Sequence, residues 1–261
     1  MQDLRITLIQ SNPEWHNVED NLARLTSILP TENSDVIILP EMFTTGFTMA
    51  SEEMAEKMEG RSHLWMKEQS ARTESVVCGS IIIEENGKYF NRFLWVEPNG
   101  KTKFYDKRHL FRMADEHNYY NEGTSEVVIT FKGWRIKPLI CYDLRFPVWS
   151  RNKLIDNRLS YDLLIYVANW PQARISAWDT LLKARAVENS AYTIGLNRVG
   201  KDEKGIEYNG HSGIYGPKGE QLYFSENIEF VSTISLNLED LNTYRAKFPS
   251  HLDADSFKIP D

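Results

Sequence analysis

Apolar residues along this chain gather into short runs rich in β-branched side chains, separated by stretches with helical spacing. The runs at Leu4–Gln10, 36–39, 76–83, 136–141, Leu163–Ala168 and 192–196 predict buried strands, because unbroken apolar character suits a sheet covered on both faces. Between several of them, 18–29, 62–71 and 177–189 carry apolar residues near the helical period. Ser62 is placed to cap the second of these, and the third is rich in strong helix formers. Two segments predict antiparallel hairpins instead. Asn86-Gly87 joins 81–85 to 88–97, which is followed by Pro98-Asn99-Gly100, and Pro217-Lys218-Gly219 separates 213–215 from 221–224. Strands alternating with helices, with hairpins inserted, predict an α/β layered sandwich and leave the strand order open.

Composition narrows the class. In 261 residues, 41% of them hydrophobic, there is enough apolar material for a substantial core, and no linker, repeat or low-complexity stretch divides it. Residues 1–261 are therefore read as a single domain. The formal charge of -7 carries no long block of one sign, and Lys107-Arg108-His109 is too short for a phosphate-backbone footprint. Neither nucleic acid nor membrane is an expected partner. The segment 1–10 has neither the apolar core of a signal peptide nor the length of a membrane span. With two cysteines, Cys78 and Cys141, and no CxxC, no disulfide framework is expected, and a reducing cytoplasm is the expected location. The six histidines form no i,i+4 pair and no Cys/His cluster, so no metal and no cofactor are expected.

Three functional groups sit at predicted strand ends, where open α/β sheets assemble sites. Glu41 follows the run 36–39 and Pro40, Lys107 closes a strand beginning near Thr102, and Cys141 closes the run from Trp134. Each has an ordinary reading: a solvated carboxylate, a surface cation, a small buried thiol. Their conjunction is chemically coherent. A cysteine attacking a carbonyl needs a base, and a carboxylate base beside a thiolate needs a cation to offset two like charges and to hold an oxyanion. Cys78, inside Val76-Val77-Cys78-Gly79-Ser80, is read as inert strand filler. His109 and His211 are expected to orient loops rather than move protons.

The segments Leu39-Pro40-Glu41-Met42-Phe43, Tyr105-Asp106-Lys107-Arg108-His109-Leu110-Phe111 and Ile140-Cys141-Tyr142-Asp143-Leu144-Arg145-Phe146-Pro147 resemble the signature segments of the carbon–nitrogen hydrolase (nitrilase) superfamily. Gly210, Ser212, Ile214, Pro217 and Gly219 match its G-x-S-x-I-x-x-P-x-G motif, and 183–189 resembles its A-R-A-x-E-N helix. The resemblance implies an αββα sandwich, four layers deep, in which Glu41, Lys107 and Cys141 act as base, cation and nucleophile, and Tyr142 lends its backbone N–H to the oxyanion. It also implies a second glutamate after the lysine. Glu116 is favoured for that place over Glu122, because Gly123 fits the glycine that follows this loop.

Lys107 through Met113, Glu116-His117 and Ala168-Asn169-Trp170-Pro171 look like the omega-amidase branch, whose members hydrolyse the terminal amide of 2-oxoglutaramate or 2-oxosuccinamate. This implies a thioester intermediate and a small-molecule amide substrate. The alternatives are another amidase or carbamoylase of the superfamily, a nitrilase, or a non-catalytic thiol protein on the same fold. Such a substrate carries a carboxylate, for which Arg145 and Arg112 are candidate partners, although Asp143 could instead pair with Arg145 structurally. Phe43, Tyr119 and Trp170 are candidate pocket walls. The resemblance further implies a homodimer, or a larger homo-oligomer, packed through 146–154 and 177–189.

Overall fold

Alternation of side chains along each strand decides which layer it meets. The computed structural model describes residues 3–30, 34–155 and 158–259. Its first half supplies β1 (Leu4–Gln10), β2 (Val36–Ile38), β3 (Val76–Glu85), β4 (Lys88–Val96) and β5 (Thr102–Asp106). The second half supplies β6 (Ile129–Phe131), β7 (Trp134–Ile140), the short pair β8 (Leu154–Ile155) and β9 (Arg158–Leu159), then β10 (Leu163–Ala168), β11 (Tyr192–Asn197), β12 (Val199–Lys201), β13 (Glu207–Tyr215), β14 (Gln221–Glu226) and β15 (Phe230–Leu236). The helices are α1 (Val18–Ile28), α2 (Ser51–Met54), α3 (Arg61–Thr73), α4 (Pro147–Ser150), α5 (Ile175–Asn189) and α6 (Leu238–Lys247). None of these is long and apolar enough to cross a membrane.

Two sheets result. One is six-stranded in the order β15-β1-β2-β3-β4-β5, and the other runs β12-β13-β11-β10-β7-β6 with β14 beside β13. At the centre of each lies a parallel triplet, β1-β2-β3 and β7-β10-β11, so the carboxyl ends of each triplet share one edge of its sheet. Leu4, Ile6 and Leu8 of β1, Val36 and Ile38 of β2, and Val76 and Cys78 of β3 face the second sheet in one buried cluster. Their neighbours Ile37 and Val77 face the other way, against Leu22 and Leu25 of α1 and Trp65 and Met66 of α3. Trp178, Leu182 and Ala186 of α5 belong to the large cluster as well, on the side of β11 and β13. The protomer is thus a helix–sheet–sheet–helix sandwich.

Cys78 is fully buried in the inter-sheet core, where burial pushes its thiol pKa up. Ser62 is not the cap of α3. The cap position belongs to Gly60, and Ser62 lies inside the first turn. The side chain of Glu56 takes the capping task from outside the helix, accepting the Ser62 N–H at 2.7 Å and the Ser62 hydroxyl. Glu56 is itself fixed by a parallel bridge to Ile83 of β3.

Candidate active site

The carboxyl edges of the two parallel triplets, together with the end of β5 and the loop after it, bring four ionisable side chains to one place. Glu41 follows β2, Lys107 follows β5, Glu116 opens a short 3-10 turn (Glu116–Asn118), and Cys141 opens another (Cys141–Arg145) straight after β7. Two of these turns are sharp. Met42 and Cys141 have φ of 43° and 45°, a left-handed region that non-glycine residues seldom occupy. For Cys141 this is what swings the side chain off the end of the strand while the next N–H groups open a helical turn, where they have no acceptor upstream.

Lys107 is fully buried and holds both carboxylates. Its Nζ donates to Glu41 Oε1 at 3.0 Å and to the two oxygens of Glu116 at 2.9 and 3.0 Å. The Phe47 ring lies 5.2 Å from the same ammonium. Glu116 Oε2 also accepts the Phe111 N–H at 2.5 Å, which ties the carboxylate to its own loop. Glu122, in contrast, is exposed and pairs with Arg108 at 3.5 Å. Gly123 sits so close to the strand before Lys107 that a Cβ there would stand 2.1 Å from the Asp106 carbonyl oxygen, and its N–H donates to Lys107 O at 2.9 Å.

Glu41 is saturated on both oxygens. Oε1 accepts from Asn91 Nδ2 at 2.8 Å as well as from Lys107, and Oε2 accepts the Asn169 backbone N–H at 2.7 Å and its Nδ2 at 3.4 Å. Asn169 Nδ2 also reaches the Glu41 carbonyl at 2.7 Å. Both amides commit their donors to this glutamate, and both Oδ1 atoms are left buried without a protein partner. Cys141 Sγ lies 3.9 Å from the Asn169 carbonyl oxygen.

The charge count at this cluster governs its protonation. Two carboxylates surround one ammonium, so negative charge is in surplus, and Cys141, Lys107 and Glu116 hold their protons more firmly. Burial, and then Glu41 and Glu116, push the Cys141 thiol well above its ordinary value, and Lys107 offsets only part of this. Burial disfavours the Lys107 ammonium, yet Glu116, Glu41 and Cys141 outweigh it and raise the lysine pKa. Burial also raises Glu116, with Lys107 opposing and Glu41 reinforcing.

Asp143 braces the nucleophile turn against the lysine strand. Its Oδ2 accepts the Ile140 N–H at 3.0 Å and the Tyr105 hydroxyl at 2.8 Å, and its Oδ1 accepts the His109 N–H at 3.0 Å and contacts His109 Nδ1 at 2.8 Å. Asp143 therefore pairs with Tyr105 and His109 and not with Arg145. His109 stacks on Phe146 with ring centroids 3.8 Å apart, a loop-orienting place. Arg185, from the A-R-A-x-E-N helix, donates to the Leu144 carbonyl at 2.6 Å and fixes the turn from the other side.

A cavity of about 680 Å³, counting its open mouth, leads to Lys107 and Cys141. Tyr142, Arg145 and Trp170 line it, together with Phe47, Phe111 and Arg174. Two candidate wall residues, Phe43 and Tyr119, and one candidate carboxylate partner, Arg112, do not. Phe43 is buried in the core between the first sheet and its helices, with its ring 5.9 Å from Trp65, because the sharp turn at Met42 sends it there. Arg112, in the 3-10 turn Arg112–Ala114, and Tyr119, just past the turn Glu116–Asn118, are exposed and do not line the cavity, although Ala114 of the first turn does. The sequence reading missed Asn91, Asp143 as a brace, Phe47, Phe111 and Arg174. Asn169 was noticed only as part of a motif. A buried amide in mid-strand, such as Asn91 in β4, is the one signal that could have pointed to a partner across the sheet edge.

Known proteins resemble this chain along nearly its whole length. The carbon-nitrogen hydrolase family model matches residues 5–246. The chain is 45% identical to the omega-amidase YafV of Yersinia enterocolitica over 261 residues, covering 99% of this chain and 100% of that protein. It is 30% identical to a 2-oxoglutaramate amidase of Bacillus subtilis, with 94% and 95% covered. Its fold superimposes on the crystal structure of a CN-hydrolase superfamily protein from Xanthomonas campestris, which has an arsenic adduct in its active site, with TM-score 0.97, 42% identity and 100% of both chains covered.

Proposed function

The chain belongs to the carbon–nitrogen hydrolase family, and we propose that it is a cysteine-dependent omega-amidase, cleaving the terminal amide of a small 2-oxo dicarboxylic acid such as 2-oxoglutaramate or 2-oxosuccinamate. That it hydrolyses carbon–nitrogen bonds other than peptide bonds follows from the family and from relatives with that activity. The observation that carries the finer reading is the buried contact of Lys107 with both Glu41 and Glu116 at the floor of the cavity that holds Cys141.

In the proposed mechanism, Glu41 takes the Cys141 thiol proton as Sγ bonds to the amide carbon. The Tyr142 N–H and the Lys107 ammonium hold the resulting oxyanion. The C–N bond then breaks, Glu41 returns the proton to the departing nitrogen, and ammonia leaves a thioester. Glu41 next takes a proton from water as its oxygen attacks the thioester carbon, the C–S bond breaks to release the acid, and Glu41 returns that proton to the leaving sulfur to restore the thiol. Glu116 keeps Lys107 charged and in place through both halves.

The same reading has the enzyme act in the cytoplasm as a homodimer or larger assembly. Supporting it, Val148 of α4, Leu154 and Ile155 of β8 and Val187 of α5 are all exposed. They sit on segments joined by hydrogen bonds from Arg151 to Glu188 O and from Asn152 N to Asn189 Oδ1.

The test is to follow ammonia release from 2-oxoglutaramate, glutamine, an aliphatic nitrile and a carbamoylated amino compound. Turnover of the 2-oxo acid amide alone is the expected result, and turnover mainly of the nitrile would overturn the assignment. Cys141→Ala should lower turnover at least about 1,000-fold, and Cys78→Ala should change it by less than about twofold.

A further inference from the structure

Two guanidinium groups share the wall of the Cys141 cavity, and neither has an acidic side chain as partner among the described residues. Arg145 follows the nucleophile turn and lies with its Cζ 5.0 Å from the Trp170 ring. Arg174 ends the 3-10 turn Gln172–Arg174, and its Cζ lies 5.2 Å from the Phe111 ring. Trp170 ties the two together, because its Nε1–H donates to the Arg174 carbonyl at 2.9 Å. Stacking on an aromatic face fixes a guanidinium without neutralising it and leaves its edge donors free.

The nearby negative charge is already committed. Among the described residues, Asp202 is the one carboxylate in the same cavity wall. Its Oδ1 accepts the Lys204 and Ile206 N–H groups at 3.0 and 2.9 Å, and its Oδ2 accepts the Tyr208 hydroxyl at 3.0 Å. At the floor, Lys107 is enclosed by its two glutamates. The mouth of the cavity is therefore cationic in a chain whose formal charge is -7. A pair of unneutralised, pre-oriented guanidinium groups beside a nucleophile is built for a planar anion.

We propose that Arg174, acting with Arg145, recognises the carboxylate at the far end of the amide substrate and so determines specificity for anionic over neutral amides. This rests on the amidase reading for its substrate but not for its chemistry, which needs only an anion near Cys141. Arg112, exposed and not among the residues that line the cavity, has no part in it.

Two measurements separate the proposal from that reading. In the first, kcat/KM is compared for 2-oxoglutaramate and for pentanamide, a neutral amide of the same length, in the parent enzyme and in Arg174→Gln, Arg174→Lys and Arg145→Gln. The ratio of the two should fall on the order of 100-fold in Arg174→Gln, chiefly through KM for the acid, and Arg174→Lys should recover part of it, since the charge stays and the planar fork is lost. A ratio unchanged in Arg174→Gln would overturn the proposal.

The second needs no turnover. Cys141 is alkylated with iodoacetate and with iodoacetamide, and its peptide is quantified by mass spectrometry. Relative to a free thiol, the parent should favour the anionic reagent, and the double variant Arg145→Gln/Arg174→Gln should lose that preference. If no amide is cleaved but the preference is present and lost in this way, the anion site stands and the amidase reading falls. A preference missing from the parent, or kept by the double variant, would sink the anion site.

Discussion

Lys107 holds two glutamates, one on each side of its role. Glu41 stands next to the thiol, and Glu116 stands behind the ammonium and reaches its own loop through the Phe111 N–H. Replacing Glu116 by Gln removes the charge that keeps the lysine protonated and directed, so kcat should fall on the order of 100-fold. Glu122→Gln, at an exposed ion pair with Arg108, should change it by less than about twofold. Steady-state kinetics of the two variants side by side would check this, and equal effects would contradict the assignment. At this scale Glu41 and Cys141 were legible in the sequence because each ends an apolar run, and Lys107 because it closes a strand, whereas Glu116 came only from the family resemblance. Asn91 and Asn169 were not legible, since an amide gains meaning only from the carboxylate it meets across the fold. Phe43 was misread because a single positive φ at Met42 decides which way the next ring points.

Elements were legible in proportion to how completely they are buried. The buried strands β1, β2, β7 and β10 announce themselves, although Leu39 falls just past β2 and Cys141 moved from the end of a strand to the start of a turn. β15 was not read at all. It is an edge strand that is only partly buried, with Val231, Thr233 and Ser235 outward, and its pairing with β1 across the sheet is invisible locally. The docking of α6 shows a similar long-range cause. Its Arg245 is buried and donates to Asp162 Oδ1 at 2.6 Å, to Ser190 O at 2.8 Å and to Tyr161 O at 2.9 Å. Burial works to raise the Asp162 pKa, but Arg135 and Arg245 outweigh it and hold the carboxyl below the ordinary range. A depressed carboxyl contributes stability that is complete above its unfolded value of about 4 and is lost as the pH falls through the lower folded value. Asp162→Asn should therefore cost about 3 kcal/mol at neutral pH, where Arg245 is left buried and unpaired. The difference should shrink under strong acid, and urea denaturation across that range would show it. A cost independent of pH would point to packing instead of charge.

At the scale of the whole molecule, period and alternation were enough for an α/β sandwich, but the strand order had to come from contacts between residues far apart in sequence. The two parallel triplets explain why the site assembles from segments as distant as Glu41 and Asn169. Each triplet ends at one edge of its sheet, and the sheets are stacked face to face. The exposed apolar residues on α4, β8 and α5 belong to this scale too. If they pack copies of the chain together, sedimentation should find a dimer or larger species at micromolar concentration, and Val148→Glu with Ile155→Asp should shift it toward monomer. A parent enzyme that sediments as a monomer would refute the assembly.

The excess of negative over positive charge around Lys107 has a consequence for survival of the enzyme between turnovers. Peroxide attacks thiolates and spares thiols, so a cysteine that keeps its proton until substrate arrives is a poor target for oxidation. Resting enzyme should lose activity to hydrogen peroxide more slowly than a free thiol of ordinary acidity is consumed. The arrangement that makes Cys141 reluctant as a nucleophile also keeps it intact in an oxidising spell, with no second cysteine needed to rescue it.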